Sequence, residues 1–136
     1  MPESRAQRGL DLPRLFCREC RSRLENSQAA VFVLPNRDTY YDLVLLEVMS
    51  AGIPIIASHT GGNISVQKMV PALRTYQNQE AGIVQEIEKL YRMTEEQRKT
   101  IGTELKKSYE ENFTIERFAQ RYMETIQKIY RDYDLD

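Results

Sequence analysis

The sequence predicts an α/β fold, a right-handed βαβ unit with parallel strands followed by a run of helices. Three observations carry that expectation. Ala30–Leu34 (AVFVL) and Ile53–Ala57 (IPIIA) are short, continuous, β-branched apolar runs, the pattern of strands buried on both faces. Between them, Leu43–Met49 has the spacing of a helix that Gly52 closes before Pro54. A strand, a helix and a strand in that order pair in parallel, with a right-handed crossover. Beyond Gln79 the apolar residues recur at helical steps only.

Each element has a local reason. Residues 1–10 are polar and patternless, as a frayed end would be, and Asp11–Asn26 has helical spacing with an apolar stripe of Leu12, Phe16, Cys20 and Leu24. The first strand is closed by Pro35-Asn36. Thr39-Tyr-Tyr-Asp42, a threonine followed three residues later by an acid, reads as a helix start with Thr39 as its cap. Thr60-Gly61-Gly62-Asn63 reads as a loop, with a short helix after it to Val70 and a third strand over Leu73–Tyr76. Ile83, Val84, Ile87, Leu90 and Tyr91 mark a helix. Thr94-x-x-Gln97 caps another, carried by Ile101, Leu105 and Tyr109. Thr114 opens the last, whose apolar residues run from Ile115 through Phe118, Tyr122 and Met123 to Tyr133. Those tyrosines read as core or docking residues, not as a stacking platform for nucleic acid.

Composition narrows the function. The 136 residues suffice for one domain, and 41% hydrophobic with 29% charged residues excludes wholesale disorder. Six glycines and five prolines are few for an all-β chain. A net charge of -1 gives no basic surplus for holding nucleic acid. From Ser27 to Asn78 there are only three acids and three bases, against thirteen and ten from Gln79 onward. The middle therefore reads as interior and the last third as solvated helices. No apolar run is long enough for a membrane span, and the start lacks a signal-peptide core, so a cytoplasmic address is expected. Asn63-Ile-Ser65 and Asn112-Phe-Thr114 match the glycosylation pattern by chance at that address. Cys17 and Cys20 form a single C-x-x-C without further ligands; core cysteines are the better reading, since structural zinc takes four.

One residue breaks the pattern. Glu47 is the only charge between Leu43 and Met49, where an ionised carboxylate costs several kcal/mol unless something pairs with it. A salt bridge to Arg37, Lys68 or Arg74 is one reading. A carboxylate lining a cleft, accepting hydrogen bonds from ligand hydroxyls, is the other. The helix that carries it starts just beyond the carboxyl end of the first strand, where open parallel sheets bind ligands. Backbone amides of Tyr40–Leu43 could seat a phosphate there. The Gly61-Gly62 turn opens on the same edge, and glycine lets backbone approach a ligand closely. His59, the only histidine, follows the second strand and reads as a surface-loop residue.

Val31-Phe-Val-Leu-Pro35, then Thr39-Tyr-Tyr-Asp-Leu-Val-Leu-Leu-Glu47-Val-Met-Ser-Ala-Gly-Ile-Pro-Ile-Ile-Ala57, then Thr60-Gly-Gly62, resembles the donor-site signature of retaining family-4 glycosyltransferases. These are GT-B enzymes with two Rossmann-like domains facing a cleft. The match is tight over residues 31–62. The helical tail with Phe113-Thr114-x-x-Arg117-Phe118 resembles that family's C-terminal helices more loosely. The resemblance implies that residues 11–136 are part of a nucleotide-sugar (donor) binding domain. The substrates of a complete member would be a nucleotide-diphosphate sugar and a glycan or lipid acceptor, with no metal and no other cofactor.

Carried over residue by residue, Glu47 matches the second of two family glutamates separated by seven residues, the one that holds the ribose hydroxyls. Leu43, with its neighbours Tyr40, Tyr41, Asp42 and Val44, matches the loop whose amides meet the diphosphate or donor sugar. Gly61 and Gly62 match the glycine pair of the same site. Thr39 stands where the first glutamate belongs, a departure that keeps hydrogen-bonding capacity and loses the charge. Tyr40-Tyr41-Asp42 replaces the usual Gly-Phe-Gly with bulkier residues. The acceptor domain and the Arg and Lys that neutralise the departing diphosphate have no counterpart in the chain, and no residue is assigned a catalytic role. The chain alone is therefore expected not to transfer sugar. A non-catalytic glycosyltransferase-like module, docking on a partner glycosyltransferase subunit through its open sheet edge and helical tail, is the alternative. A receiver-like domain fits poorly: Asp38 and Asp42 lie near a strand end, but no second acidic cluster or lysine accompanies them.

Overall fold

The structure, a computed structural model, describes residues 30–77 and 79–133. The helix expected over Asp11–Asn26, its two cysteines and the polar stretch 1–10 lie outside the described residues. Three strands form one parallel sheet in the order β1 (Phe32–Leu34), β2 (Ile55–Ser58), β3 (Arg74–Tyr76). Phe32 lies opposite Ile55, and Ile56 opposite Arg74. Helix α1 (Leu43–Ser50) joins the first two strands and α2 (Gly61–Met69) the next two. Helices α3 (Glu80–Tyr91), α4 (Glu95–Asn112) and α5 (Ile115–Asp132) follow. The βαβ expectation holds, and the third strand is present.

The central strand explains the continuous apolar run. All four residues of β2 are buried. Ile55 and Ala57 join Leu45, Val48 and Met49 of α1, Val66 of α2 and Leu105 of α4 in the larger core. Ile56 points the other way, to Tyr76 and Leu90 of α3. The sheet is thus covered on both faces, as parallel sheets require.

Several boundaries move for identifiable reasons. Helix α1 ends in a Schellman motif: Gly52, at φ +71°, donates to Met49 O at 3.0 Å and Ile53 donates to Val48 O at 3.4 Å. Ile53 is therefore spent on the helix end and Pro54 has no N–H, so the second strand begins at Ile55, not Ile53. Thr39 is not the cap of α1. That position belongs to Asp42, and the Thr39 hydroxyl donates to the Asp42 carboxylate at 3.4 Å. Thr60-Gly61-Gly62-Asn63 is not a loop either: Thr60 is the cap of α2 and the glycines are its first turn. Thr94 and Gln97 form the expected capping box, and Thr114 caps α5.

The last helix departs from the core reading. No residue of α5 is buried, and Ile115, Phe118, Tyr122, Met123 and Tyr130 keep more than half their surface open. No residue of α5 joins either core cluster, and Phe118 stacks on Tyr122 of the same helix.

Candidate functional site

The carboxyl ends of the strands gather the residues singled out in the sequence. The segment from Pro35 to Asp42 leads off β1. The Asp42 carboxylate accepts from Asn36 Nδ2 and from Thr39 Oγ1, which ties the loop back on itself. Because that carboxylate is engaged behind it, Asp42 gives α1 no side-chain cap, and the first turn carries no acid. The first backward bond at this end is Leu45 N to Asp42 O, at 3.1 Å. The amides of Leu43 and Val44 stand ahead of it, where a helix N-terminus presents unpaired donors and partial positive charge. Leu43 is half exposed, Val44 leans on the core, and Tyr40 and Tyr41 project outward at 97% and 53% exposure.

The second loop meets the first. Gly61, at φ +45°, lies so close to β1's loop that a Cβ there would fall 1.6 Å from Thr39 O. A Cβ on Gly62 would fall 2.2 Å from Tyr40 O. The close approach the glycines permit is therefore to the backbone of Thr39–Tyr41. Buried Asn63 fixes the turn from behind, donating to Ser58 O at 3.0 Å. That burial also shuts Asn63-Ile-Ser65 away from glycosylation. Ser58 and Thr60 hydroxyls pair at 3.2 Å, and Thr60 gives α2 no side-chain cap. His59 is half-buried, not a free loop residue: its amide donates to Tyr76 O at 2.8 Å and Nδ1 pairs with Thr75 Oγ1 at 3.0 Å. Sequence reasoning gives Asn63 no role beyond the loop and reads His59 as a surface residue; the polar Asn63 flanking the glycine pair is the available signal.

Glu47 sits in the second turn of α1. The helix is less enclosed than its composition implied, with Leu43 half open and Glu47 partly exposed. Its Oε1 is nevertheless buried with no hydrogen-bond partner among the described residues. Burial alone pushes the carboxyl above its ordinary range. Among the described residues no ion pair reaches Glu47: Arg74 is paired with Glu86 at 3.1 Å, and Lys68 lies exposed on α2. A buried acceptor without a donor costs roughly 1–3 kcal/mol.

Among the described residues no group of three His, Cys, Asp or Glu side chains stands close enough to hold a metal ion. No helix among them is long and apolar enough to cross a membrane. Two surface hollows lie elsewhere. One is beside Arg74, Glu86 and Glu104; the other is against Val31, Ile87 and Tyr91.

A parallel sheet covered on both faces, with two helix N-termini that lack side-chain caps at its carboxyl edge, defines a Rossmann-like α/β domain. The chain belongs to the group 1 glycosyl transferases, whose family model matches residues 21–93, more than half of its length. Sucrose-phosphate synthase from Thermosynechococcus elongatus has a similar structure, at a TM-score of 0.66 and 22% identity over 76% of this chain and 26% of that one. That likeness carries the fold, the GT-B glycosyltransferase architecture. The chain spans about a quarter of the synthase's length. None of the curated proteins compared matches it.

Proposed function

We propose that the chain is the nucleotide-sugar binding part of a retaining family-4 glycosyltransferase. In this reading Glu47 accepts hydrogen bonds from the ribose hydroxyls. The amides of Leu43 and Val44 receive the diphosphate, with Tyr40, Tyr41 and Asp42 shaping the rim. Thr39 takes the donor-sugar position as a neutral hydrogen-bonding group, and Gly61 and Gly62 lock the two loops together. The complete protein would transfer a sugar from a nucleotide-diphosphate donor to a glycan or lipid acceptor in the cytoplasm, at the membrane surface when the acceptor is a lipid, without a metal. The residues described here bind the donor but do not turn it over. Retaining transfer needs cationic groups where charge develops on the leaving diphosphate, and the signature segment supplies only amides.

The observation that carries this reading is the enclosed, unpartnered Oε1 of Glu47, on a helix whose uncapped N-terminus stands at the carboxyl edge of the sheet. The test is an amide NMR titration of the chain with UDP, GDP, ADP and their sugar conjugates. Shifts centred on Tyr40–Glu47 and Gly61–Gly62 for one nucleotide are expected. Glu47→Ala should weaken that nucleotide by roughly 1.5–3 kcal/mol, about 10- to 150-fold. An unchanged affinity would remove Glu47 from the site. A second reading, a non-catalytic module that docks on a partner glycosyltransferase, is favoured by the open apolar face of α5. It predicts a dispersed spectrum that ignores every nucleotide.

A further inference from the structure

Helix α5 buries none of its residues, although its apolar and polar sides are sharply divided. The apolar side is a regular stripe. Ile115, Ala119, Tyr122, Ile126, Ile129 and Tyr133 follow one another at steps of 4, 3, 4, 3 and 4, the alternation of a two-helix seam. Ile126 is half-buried and the other five are exposed. Seven large apolar side chains between Ile115 and Tyr133 keep 41–76% of their surface open. That amounts to on the order of 900 Å², where a stable complex takes roughly 800 Å² from each partner.

Charge and shape say what covers the stripe. The helix carries four bases and three acids, so it offers an anionic lipid surface a surplus of only one charge. Arg117, Arg121, Lys128 and Arg131 all fall on the side away from the seam, so two copies can meet without opposing their cations. Laid antiparallel about Glu124, the seam is complementary to itself. Ile115 meets Tyr133 of the second copy, Ala119 meets Ile129, and Tyr122 meets Ile126, so each smaller side chain faces a larger one. A parallel pair would set Ala119 against Ala119 and leave a gap. Antiparallel helices also lay each N-terminus beside a C-terminus, where the partial charges attract. Glu116, on the flank of the seam, then comes beside Tyr130 of the second copy, whose hydroxyl can donate to it.

We infer that α5 is a dimerisation surface, pairing antiparallel with α5 of a second copy of this chain across that seam. The inference rests on no property of the donor edge.

Sedimentation equilibrium of the 136-residue chain, from about 1 to 100 µM, tests it. The mass should climb from 15.9 kDa towards twice that value. Ala119→Lys and Ile129→Glu each put a charge in the seam and should raise the dissociation constant about tenfold or more. Circular dichroism should show both variants folded. Mixed in equal amounts they should dimerise again, because an antiparallel seam sets one new charge against the other and a parallel seam does not. Glu124→Ala, on the outer side, should leave the constant within about twofold. If Ile129→Glu melts the helix, Ile115→Lys with Tyr133→Glu repeats the test in the outermost layer. A chain that stays monomeric throughout overturns the inference, as does a dimer indifferent to the seam substitutions. Folded variants that fail to rescue each other overturn the antiparallel pairing, and so does a mass beyond twice that of the chain. A monomer that binds vesicles of phosphatidylcholine and phosphatidylserine assigns the face to lipid and overturns the inference equally.

Discussion

Helices α1 and α2 begin very differently from α4 and α5. Neither of the first pair has a side-chain cap or an acid in its first turn. Helix α4 has a full capping box with Glu95 and Glu96, and α5 has Thr114 bonded to Arg117 N with Glu116 beside it. A helix N-terminus carries about half a positive charge, and a cap with a nearby acid neutralises it for about 1 kcal/mol of stability. The tail helices take that stability. The helices at the sheet's carboxyl edge forgo it, where an incoming anion gains most. Two part-buried glutamates repeat the contrast. Burial raises Glu86, but bonds and charges from Lys89 and Arg74 outweigh it and hold that carboxyl below its usual range. Glu47 has no such partners and sits above it.

Three substitutions probe the contrast, in decreasing order of effect. Gly61→Ala drives a Cβ onto Thr39 O in a left-handed backbone conformation, and should cost roughly 3 kcal/mol or more in urea unfolding while abolishing nucleotide shifts. A parental unfolding midpoint would mean that the two loops do not touch. Leu43→Glu adds the missing first-turn acid to α1. It should stabilise the fold by about 0.3–1 kcal/mol yet weaken a nucleotide diphosphate five- to tenfold, from about 1 kcal/mol of repulsion. Equal signs in the two measurements would detach the phosphate from this helix. Thr94→Ala should cost about 1 kcal/mol by losing the capping box of α4, and leave nucleotide affinity at the parental value.

What could be read in the sequence was local. The Gly52 stop, the Thr94 and Gln97 box and the continuous apolar strand runs depend on neighbours a few residues away, and all three stand in the structure. The cap of α1 was misread because Thr39 satisfies the same spacing rule as a true cap. Only the folded loop shows its hydroxyl turned to Asp42. The glycine pair looked like a loop because glycine disfavours helix. Its reason is tertiary, a backbone from another loop occupying the space of the missing side chains. The anomaly at Glu47 was visible from charge alone, but the choice between salt bridge and ligand acceptor needed the enclosure of one oxygen. The stripe of α5 was equally plain, whereas its exposure depends on what stands opposite.

The finest probe of the edge site is pH. Glu47 has a raised pKa in the folded, empty chain, so above its usual value near 4.5 the native state holds more proton than the unfolded one. Its contribution to stability is full below that value and is lost as pH climbs through the raised pKa. Glu86 runs the other way, its lowered pKa contributing stability that is lost as pH falls. The two partly cancel in a global unfolding curve, so the informative quantity is the difference between the parent and Glu47→Gln. Ribose hydroxyls donating to the carboxylate favour its charged form, so binding should release a proton from Glu47. Nucleotide affinity of the parent should therefore rise with pH through this window, and that of Glu47→Gln should stay level. Parallel profiles for the two chains would show that the enclosed oxygen faces no ligand, leaving the uncapped helix to hold the diphosphate alone.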